Sequence, residues 1–144
     1  MIACSTIRRA TVADINLIQE AMAAMPFDVQ AASLSEIAEG IESGQTAIYM
    51  LESESALTLV GVQRDKGSYA QFGGLYRVGG PEGLVRDCRT LMAYIIPILV
   101  KDGCRDIGLM VQLNNPLHKK LLSLYNRLGF RSSAIAMTAQ IGAL

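Results

Sequence analysis

The sequence predicts an α/β (α+β) fold with a central mixed, mostly antiparallel sheet of about six strands, flanked by about four helices. Apolar residues alternate or run together over several short segments, which is typical of strands, and recur every three or four residues over longer segments, which is typical of helices. The 144 residues are about one domain in length, and 51% are hydrophobic, which is enough to bury a core. We therefore expect a single domain over residues 1–144.

Two short residue pairs mark the starts of the first helices. Thr11 and Asp14 lie three residues apart and can cap each other's backbone donors, so a helix is expected from Val12. Ser33 and Glu36 repeat this pattern and predict a second, shorter helix. The predicted elements, in chain order, are a strand at 7–10, helices at 12–25 and 33–44, strands at 46–51, 57–63 and 69–78, a helix at 84–102, a strand at 106–113, a helix at 116–128 and a strand at 130–141.

The longest helix follows a glycine-rich turn. Its apolar stripe consists of Leu84, Cys88, Leu91, Ile95 and Leu99. Gly73 and Gly74 in the preceding strand indicate a bulge or the close approach of another group. Gly79, Gly80 and Gly83 add little side-chain bulk, so several backbone N–H groups can lie bare at the helix N-terminus, and such a terminus attracts phosphate. An ordinary strand-to-helix turn is the alternative.

Charge and cysteine content narrow the functional classes. The formal net charge is zero, and the 13 basic residues are spread along the chain, so no nucleic-acid partner is expected. The three cysteines have no CxxC spacing and the chain has one histidine, so we expect no metal site and reduced thiols. The apolar runs are too short for a signal peptide or a membrane span. We expect a soluble, cytoplasmic protein that does not bind membranes.

The order of the elements and both ends of the chain resemble one known family. The opening IRRATVADI and the ending SLYNRLGFR are similar to those of the Gcn5-related N-acetyltransferases (GNATs), and the resemblance covers nearly the whole chain. Members commonly end with a Leu-Tyr pair followed by Gly-Phe, which Leu124-Tyr125 and Gly129-Phe130 match in kind and spacing. The resemblance implies the GNAT fold.

The acetyl-CoA signature of this family fits the chain in spacing and only partly in residue type. The signature consists of Val, four residues of any type, Gln or Arg, two residues of any type, Gly, one residue of any type, and finally Gly or Ala. Counting back from Gly103 places the signature over Val78 to Cys88. Gly83 stands where the family has Gln or Arg, Arg86 stands at its first glycine, and Cys88 at its final Gly or Ala. Arg86 can either bind a phosphate or block the pocket.

The resemblance implies an acyl-CoA-dependent N-acetyltransferase that uses acetyl-CoA, or CoA, and acetylates a primary amine on a small molecule or a protein. It implies that Tyr125 is the acid for the leaving thiolate, although Tyr125 also fits the apolar stripe of its helix. His118, two turns earlier, is a candidate for proton transfer, but a lone histidine near a helix start is more often a surface or capping residue. The implied cofactor-binding residues are Leu75, Tyr76, Val78, Gly83, Arg86, Asp87, Cys88 and Asn115.

Two other functions are compatible with the sequence. One is a non-catalytic GNAT-like binding or structural protein, such as a phage-type virion or assembly protein, that has lost cofactor binding. The other is a ligand-sensing domain that holds a CoA-like nucleotide without turnover. The stretch from Gly83 to Cys88 discriminates between these functions and the enzyme. A homodimer is compatible with the apolar last strand and the Met-rich first helix, and so is a monomer.

Overall fold

The computed structural model describes residues 6–24, 33–53, 55–64, 68–80, 82–109 and 117–130. Contacts divide the chain into two compact units, residues 1–109 and residues 110–144. The elements of the first unit are β1 (Thr6–Arg9), a 3-10 turn (Val12–Asp14), α1 (Ile15–Ala23), α2 (Leu34–Ser43), β2 (Thr46–Glu52), β3 (Leu57–Arg64), β4 (Tyr69–Val78), α3 (Leu84–Lys101) and β5 (Asp106–Leu109). The second unit contains α4 (His118–Arg127).

The strands of the first unit form one mixed sheet in the order β1-β2-β3-β4-β5. The first three pairings are antiparallel, and β5 runs parallel to β4. The predicted α/β class and the mostly antiparallel sheet are therefore confirmed. The last predicted strand, at 130–141, lies outside the described residues except for Phe130.

One face of the sheet packs against α1. Ile18 and Ala21 of α1 form a buried core with Ile48 and Met50 of β2 and with Leu59 of β3. These strand residues alternate along the chain, so their side chains leave the sheet on the same side. Burial of this apolar surface holds the first helix on the sheet.

The opposite face of β2 contacts α3. Tyr49 lies between two residues of the α1 core, so its side chain leaves the sheet on the other side. Its ring packs edge-on against Tyr94 of α3, with the ring centroids 6.1 Å apart. Residues 47–51 are consequently all buried, as expected for a strand that is covered on both faces.

β4 contains a bulge where two of its residues, Gly73 and Gly74, lie opposite the single Gly61 of β3. A Cβ on Gly61 would lie 2.5 Å from the carbonyl oxygen of Gly73, so only glycine fits at that position. Because of the extra residue, Phe72 and Leu75 stay on the same face of the sheet despite their odd spacing. The bulge that the adjacent glycines predict is confirmed.

The helical start at Val12 and the capping by Thr11 and Asp14 that the sequence predicts are confirmed. The first turn, Val12–Asp14, is 3-10, and α1 continues from Ile15. Arg8 on β1 donates to both carboxylate oxygens of Asp14 at 2.8 Å, and the N–H of Thr11 donates to the same carboxylate at 2.8 Å. These hydrogen bonds hold the turn against β1, and those from Arg8 lower the pKa of Asp14 to about 2.

The other predicted elements that fall within the described residues are confirmed, with bounds that differ by a few residues. Ser33 caps α2 by accepting from the N–H of Glu36 at 3.3 Å, and Gly44 ends α2 with a φ of 81°. The strand predicted at 106–113 is described as far as Leu109, and the predicted cap of the last helix, Asn115, lies outside the described residues. The single domain expected over residues 1–144 stays a prediction.

Candidate functional site

The connection from β4 to α3 is short and rich in glycine. Gly79, Gly80 and Gly83 have φ angles of 114°, 88° and 87°, in a region that other residues rarely adopt. A Cβ on Gly83 would also lie 2.9 Å from Nη2 of Arg86 and 3.0 Å from Nη2 of Arg77. Position 83 therefore requires glycine both for its backbone conformation and for the space that the two guanidinium groups occupy.

The N-terminus of α3 presents backbone donors. Its first intrahelical hydrogen bond runs from the N–H of Asp87 to the carbonyl oxygen of Gly83 at 2.9 Å, so the N–H groups of residues 84–86 have no acceptor within the helix. The capping residue, Gly83, has no side chain that could bond them. These amides and the dipole of an 18-residue helix together favour a bound anion.

Arg77, near the end of β4, is buried against this connection. Its side chain is 5% exposed. Nε donates to the carbonyl oxygen of Gly80 at 2.7 Å, and Nη2 donates to the carbonyl oxygen of Glu82 at 2.8 Å. One guanidinium thus bonds two backbone carbonyl groups of the connection.

The third nitrogen of the Arg77 guanidinium bonds two side chains. Nη1 donates to Oγ1 of Thr58 on β3 at 2.7 Å and to Oδ2 of Asp87 in the first turn of α3. The Thr58 hydroxyl donates to the same carboxylate oxygen at 3.3 Å. All three side chains are buried, and a buried charge is tolerated when it is paired and hydrogen-bonded in this way. The pair joins β3, β4 and α3.

Arg86 is the exposed cation of the site. Its side chain is 70% exposed, and its Nε lies 3.4 Å from Oδ1 of Asp87. That distance is long for a charge-assisted hydrogen bond, and an ion pair in contact with water contributes little. Asp87 keeps its bonds to Arg77 and Thr58 when Arg86 leaves. The Arg86 guanidinium can therefore turn to a bound anion at low cost.

The structure brings together the predicted residues of the signature region. Val78 is the last residue of β4, Gly83 caps α3, and Arg86, Asp87 and Cys88 follow in the first turns of the helix. Cys88 stands where the family signature has Gly or Ala. Because Cys88 is completely buried, its larger side chain takes no space at the exposed surface of the connection. The role of each residue in binding a cofactor stays a prediction.

Other predicted cofactor residues lie further from the connection or outside the described residues. Leu75 shares a face of β4 with Arg77, whereas Tyr76 lies on the opposite face and packs against the α1 core. Asn115 is not among the described residues.

The two predicted catalytic residues lie on α4, in the second unit. His118 is the first residue of this helix, and Tyr125 follows two helical turns later. Tyr125 is buried, and its ring packs edge-on against Phe130 with the centroids 6.0 Å apart. Tyr125 thus takes part in packing, as its place in the apolar stripe indicates. Proton transfer by either residue stays a prediction.

The sequence analysis missed Arg77 and Thr58. The two residues are direct partners in the antiparallel pairing of β3 with β4, so their side chains lie on the same face of the sheet. Two adjacent polar side chains on a face that is otherwise apolar are the signal that could have found them. That signal depends on the strand register, which one sequence does not reveal.

The described residues contain neither a candidate metal site nor a candidate membrane-spanning helix. Among the described residues, no three His, Cys, Asp or Glu side chains lie close enough to hold a metal ion. No helix within those residues has the length and apolar character needed to cross a bilayer.

Comparisons with known proteins identify the fold. No protein-family model and no curated protein matches the chain. Among solved structures, the GCN5-related N-acetyltransferase from Ralstonia eutropha JMP134 matches with a TM-score of 0.69 at 14% sequence identity, over 91% of this chain and 95% of that chain. The fold is that of the GNATs.

Two further structures with the GNAT fold contain ligands. A predicted acetyltransferase from Clostridium acetobutylicum with acetyl-CoA matches with a TM-score of 0.66 at 10% identity, over 91% of this chain and 92% of that chain. The enzyme AAC(6')-Iy in complex with the bisubstrate analogue CoA-S-monomethyl-acetylneamine matches with a TM-score of 0.67 at 15% identity, over 90% and 92% of the two chains. The GNAT fold implied by the sequence resemblance is therefore confirmed.

We expect Gly83→Ala to destabilise the protein more than Gly103→Ala. Both glycines have positive φ, of 87° and 95°, so alanine at either position introduces about 1–2 kcal/mol of backbone strain. A Cβ at Gly103 meets open space, whereas at Gly83 it meets the Arg77 guanidinium, which buried partners hold in place. We expect about 1 kcal/mol of additional destabilisation for Gly83→Ala, measured by urea unfolding. Equal losses in the two variants would show that Arg77 moves aside.

Proposed function

We propose that the chain is an acyl-CoA-dependent N-acetyltransferase that moves an acetyl group from acetyl-CoA to a primary amine. The observation that carries this proposal is the anion site at the start of α3, where the amides of residues 84–86 lie beside the exposed guanidinium of Arg86. The GNAT fold, and the acetyl-CoA in the Clostridium acetobutylicum structure, support acetyl-CoA as the source of the anion.

The residues at this site suit the pyrophosphate of CoA. Backbone amides at a helix N-terminus and an arginine side chain both stabilise phosphate oxygens. The cations Arg77 and Arg86 balance the anions Glu82 and Asp87 here, and Asp87 is neutralised in the interior by Arg77, so the exposed guanidinium of Arg86 is free to pair with a phosphate. The Arg86 guanidinium lies over Gly83, and its 70% exposure lets it move aside and bind a phosphate instead of obstructing the pocket.

The backbone of β4 supplies support for the pantetheine arm. Leu75, Tyr76 and Val78 pair with β3 along one edge of the strand. Within the described residues, pairing with β5 along the other edge covers Tyr69 to Phe72. We assign the backbone groups of residues 75–78 on that second edge to the arm, and Gly83 and Asn115 to contacts with the cofactor. The other two predicted cofactor-binding residues, Asp87 and Cys88, are both buried, and we assign them to supporting the site from the interior.

Catalysis in this proposal is mainly positioning. Acetyl-CoA, when bound, supplies a thioester carbonyl, and the chain holds the acceptor amine within reach of it. As the bond from nitrogen to the carbonyl carbon forms and the carbon–sulfur bond breaks, the hydroxyl of Tyr125 donates a proton to the departing sulfur. His118 accepts, directly or through a water molecule, the proton that the amine loses.

The acceptor in this proposal is a primary amine on a small molecule or a protein. The bisubstrate analogue bound to AAC(6')-Iy supports an amine as the second substrate of a chain with this fold. The cytoplasmic location and the homodimer stay predictions.

Arg86→Glu is expected to weaken acetyl-CoA binding at least tenfold in isothermal titration. The substitution removes a charge-assisted contact worth about 1.5–3 kcal/mol and places a carboxylate beside the phosphates. Lys101→Glu is the control, because it also replaces an exposed cation by a carboxylate, fifteen positions or about 22 Å further along α3. Its acetyl-CoA affinity should stay within about threefold of wild type, since the field of a surface charge is screened over roughly 10 Å.

Two outcomes of this titration contradict the proposal. Absence of binding to wild-type protein that is shown to be folded would favour a non-catalytic GNAT-like module over an enzyme. Equal weakening by Arg86→Glu and Lys101→Glu would show a general charge effect and would remove Arg86 from the phosphate site.

Tyr125→Phe is expected to lower kcat roughly a hundredfold while the affinity for acetyl-CoA stays unchanged. Phenylalanine keeps the ring that packs against Phe130 and removes the hydroxyl that protonates sulfur. The assay measures CoA release with an amine found by screening. Tyr94→Phe on α3, where the tyrosine is 44% exposed, controls for the loss of a hydroxyl as such. An unchanged kcat in the Tyr125 variant would exclude its role as the acid.

A further inference from the structure

Arg77 is a buried cation that does not itself reach the surface of the proposed phosphate site. Its guanidinium bonds the carbonyl groups of Gly80 and Glu82, the hydroxyl of Thr58 and the carboxylate of Asp87. Four different acceptors on three parts of the chain are thus held by one side chain. A group needed only to neutralise Asp87 would not have to bond two carbonyls of the connection.

We propose that Arg77 is a positioning residue that sets the conformation of the β4–α3 connection for the pyrophosphate of the cofactor. This inference rests on the proposed function. Arg77 acts through the backbone of the connection and through Asp87, and it makes no contact with the cofactor.

The bond from Arg77 to the carbonyl of Glu82 fixes the direction of a peptide group. In a planar trans peptide, the C=O and the following N–H point in opposite directions. The carbonyl of Glu82 points to Nη2 of Arg77, in the interior. The N–H of Gly83 therefore points away from the buried guanidinium. Arg77 thereby adds one amide to the donors that the start of α3 offers to an external anion.

The same guanidinium also bonds the carboxylate of Asp87. A carboxylate in the first turn of a helix is attracted to the positive end of the helix dipole, so an unpaired Asp87 would compete with a phosphate for it. Here the N-terminus of α3 has no side-chain cap. Arg77 and Thr58 hold Oδ2 of Asp87 on the side of the sheet. The amides are thus kept available, and the charge of Asp87 is neutralised within the interior.

The arrangement of the acceptors suits an arginine at position 77. The acceptors approach Nε, Nη1 and Nη2 separately, which matches the planar fork of a guanidinium. A lysine ammonium at position 77 can pair with Asp87 but concentrates its donors at one point. From the position that pairs with Asp87, it does not span the separate carbonyl groups of Gly80 and Glu82. Arg77→Lys therefore keeps the buried charge and removes the backbone contacts.

The test compares ligands with and without phosphates. CoA and S-acetylpantetheine, which lacks the pyrophosphate, are titrated into wild type and Arg77→Lys at a temperature where urea unfolding shows both proteins to be folded. We expect the affinity for CoA to fall at least tenfold in the variant and the affinity for S-acetylpantetheine to stay unchanged. Arg64→Lys is the matched control, because Arg64 is a partly buried, ion-paired arginine at the opposite end of the β3–β4 pairing.

The outcomes separate this inference from the proposed function. Failure of wild type to bind CoA would overturn the proposed function, and the inference with it. Binding of CoA with equal affinity by wild type and Arg77→Lys would overturn the inference alone. Equal weakening of both ligands would also overturn it, since that result indicates a general structural role. If Arg77→Lys does not fold, Thr58→Val takes its place, with an expected loss of CoA affinity of threefold or more.

Discussion

The described structure depends on a buried ion pair between Arg77 and Asp87. A buried guanidinium has lost its water and is tolerated only when its donors find partners, which here are a carboxylate, a hydroxyl and two carbonyl groups. Because these acceptors belong to β3, α3 and the connection between β4 and α3, the pair fixes three parts of the chain at once. Removal of either charge would leave the other buried and uncompensated, at a cost of about 3–5 kcal/mol.

Two arginines contact the carboxylate of Asp87, and they contact it differently. Arg77 takes the buried oxygen of Asp87 together with Thr58, and Arg86 makes a longer, exposed contact with the other oxygen. The buried contact is strong because water is excluded, and the exposed one is easily exchanged for a phosphate. The sheet supports this arrangement, because helices cover both of its faces and hold β3 and β4 in register. Glycine at position 83 leaves the space in which the two guanidinium groups meet.

The elements of the fold could be predicted from sequence because their signals are local. The apolar stripe of α3 and Gly83 before it predict that helix from its own residues alone, without knowledge of any other part of the chain. The helical start at Val12 could be predicted from Thr11 and Asp14, but the bonds that Arg8 of β1 makes to Asp14 in the 3-10 turn could not. The place of Arg86 could be predicted from signature spacing, but its exposure could not. Arg77 was not predicted because an arginine in a strand usually faces solvent. Its burial depends on partners that only the strand register and the packing of α3 bring together.

The central claim is that the start of α3 binds the pyrophosphate of CoA through its backbone amides. The most direct measurement is a titration of ¹⁵N-labelled protein with CoA, followed in the amide spectrum. We expect saturable shifts that are largest for the N–H groups of residues 83–86 and for Nε of Arg86, while Nε of Arg77, which already donates to the carbonyl of Gly80, shifts little. Saturable binding that leaves residues 83–86 unshifted would contradict the account, because the cofactor would then be held elsewhere on the fold.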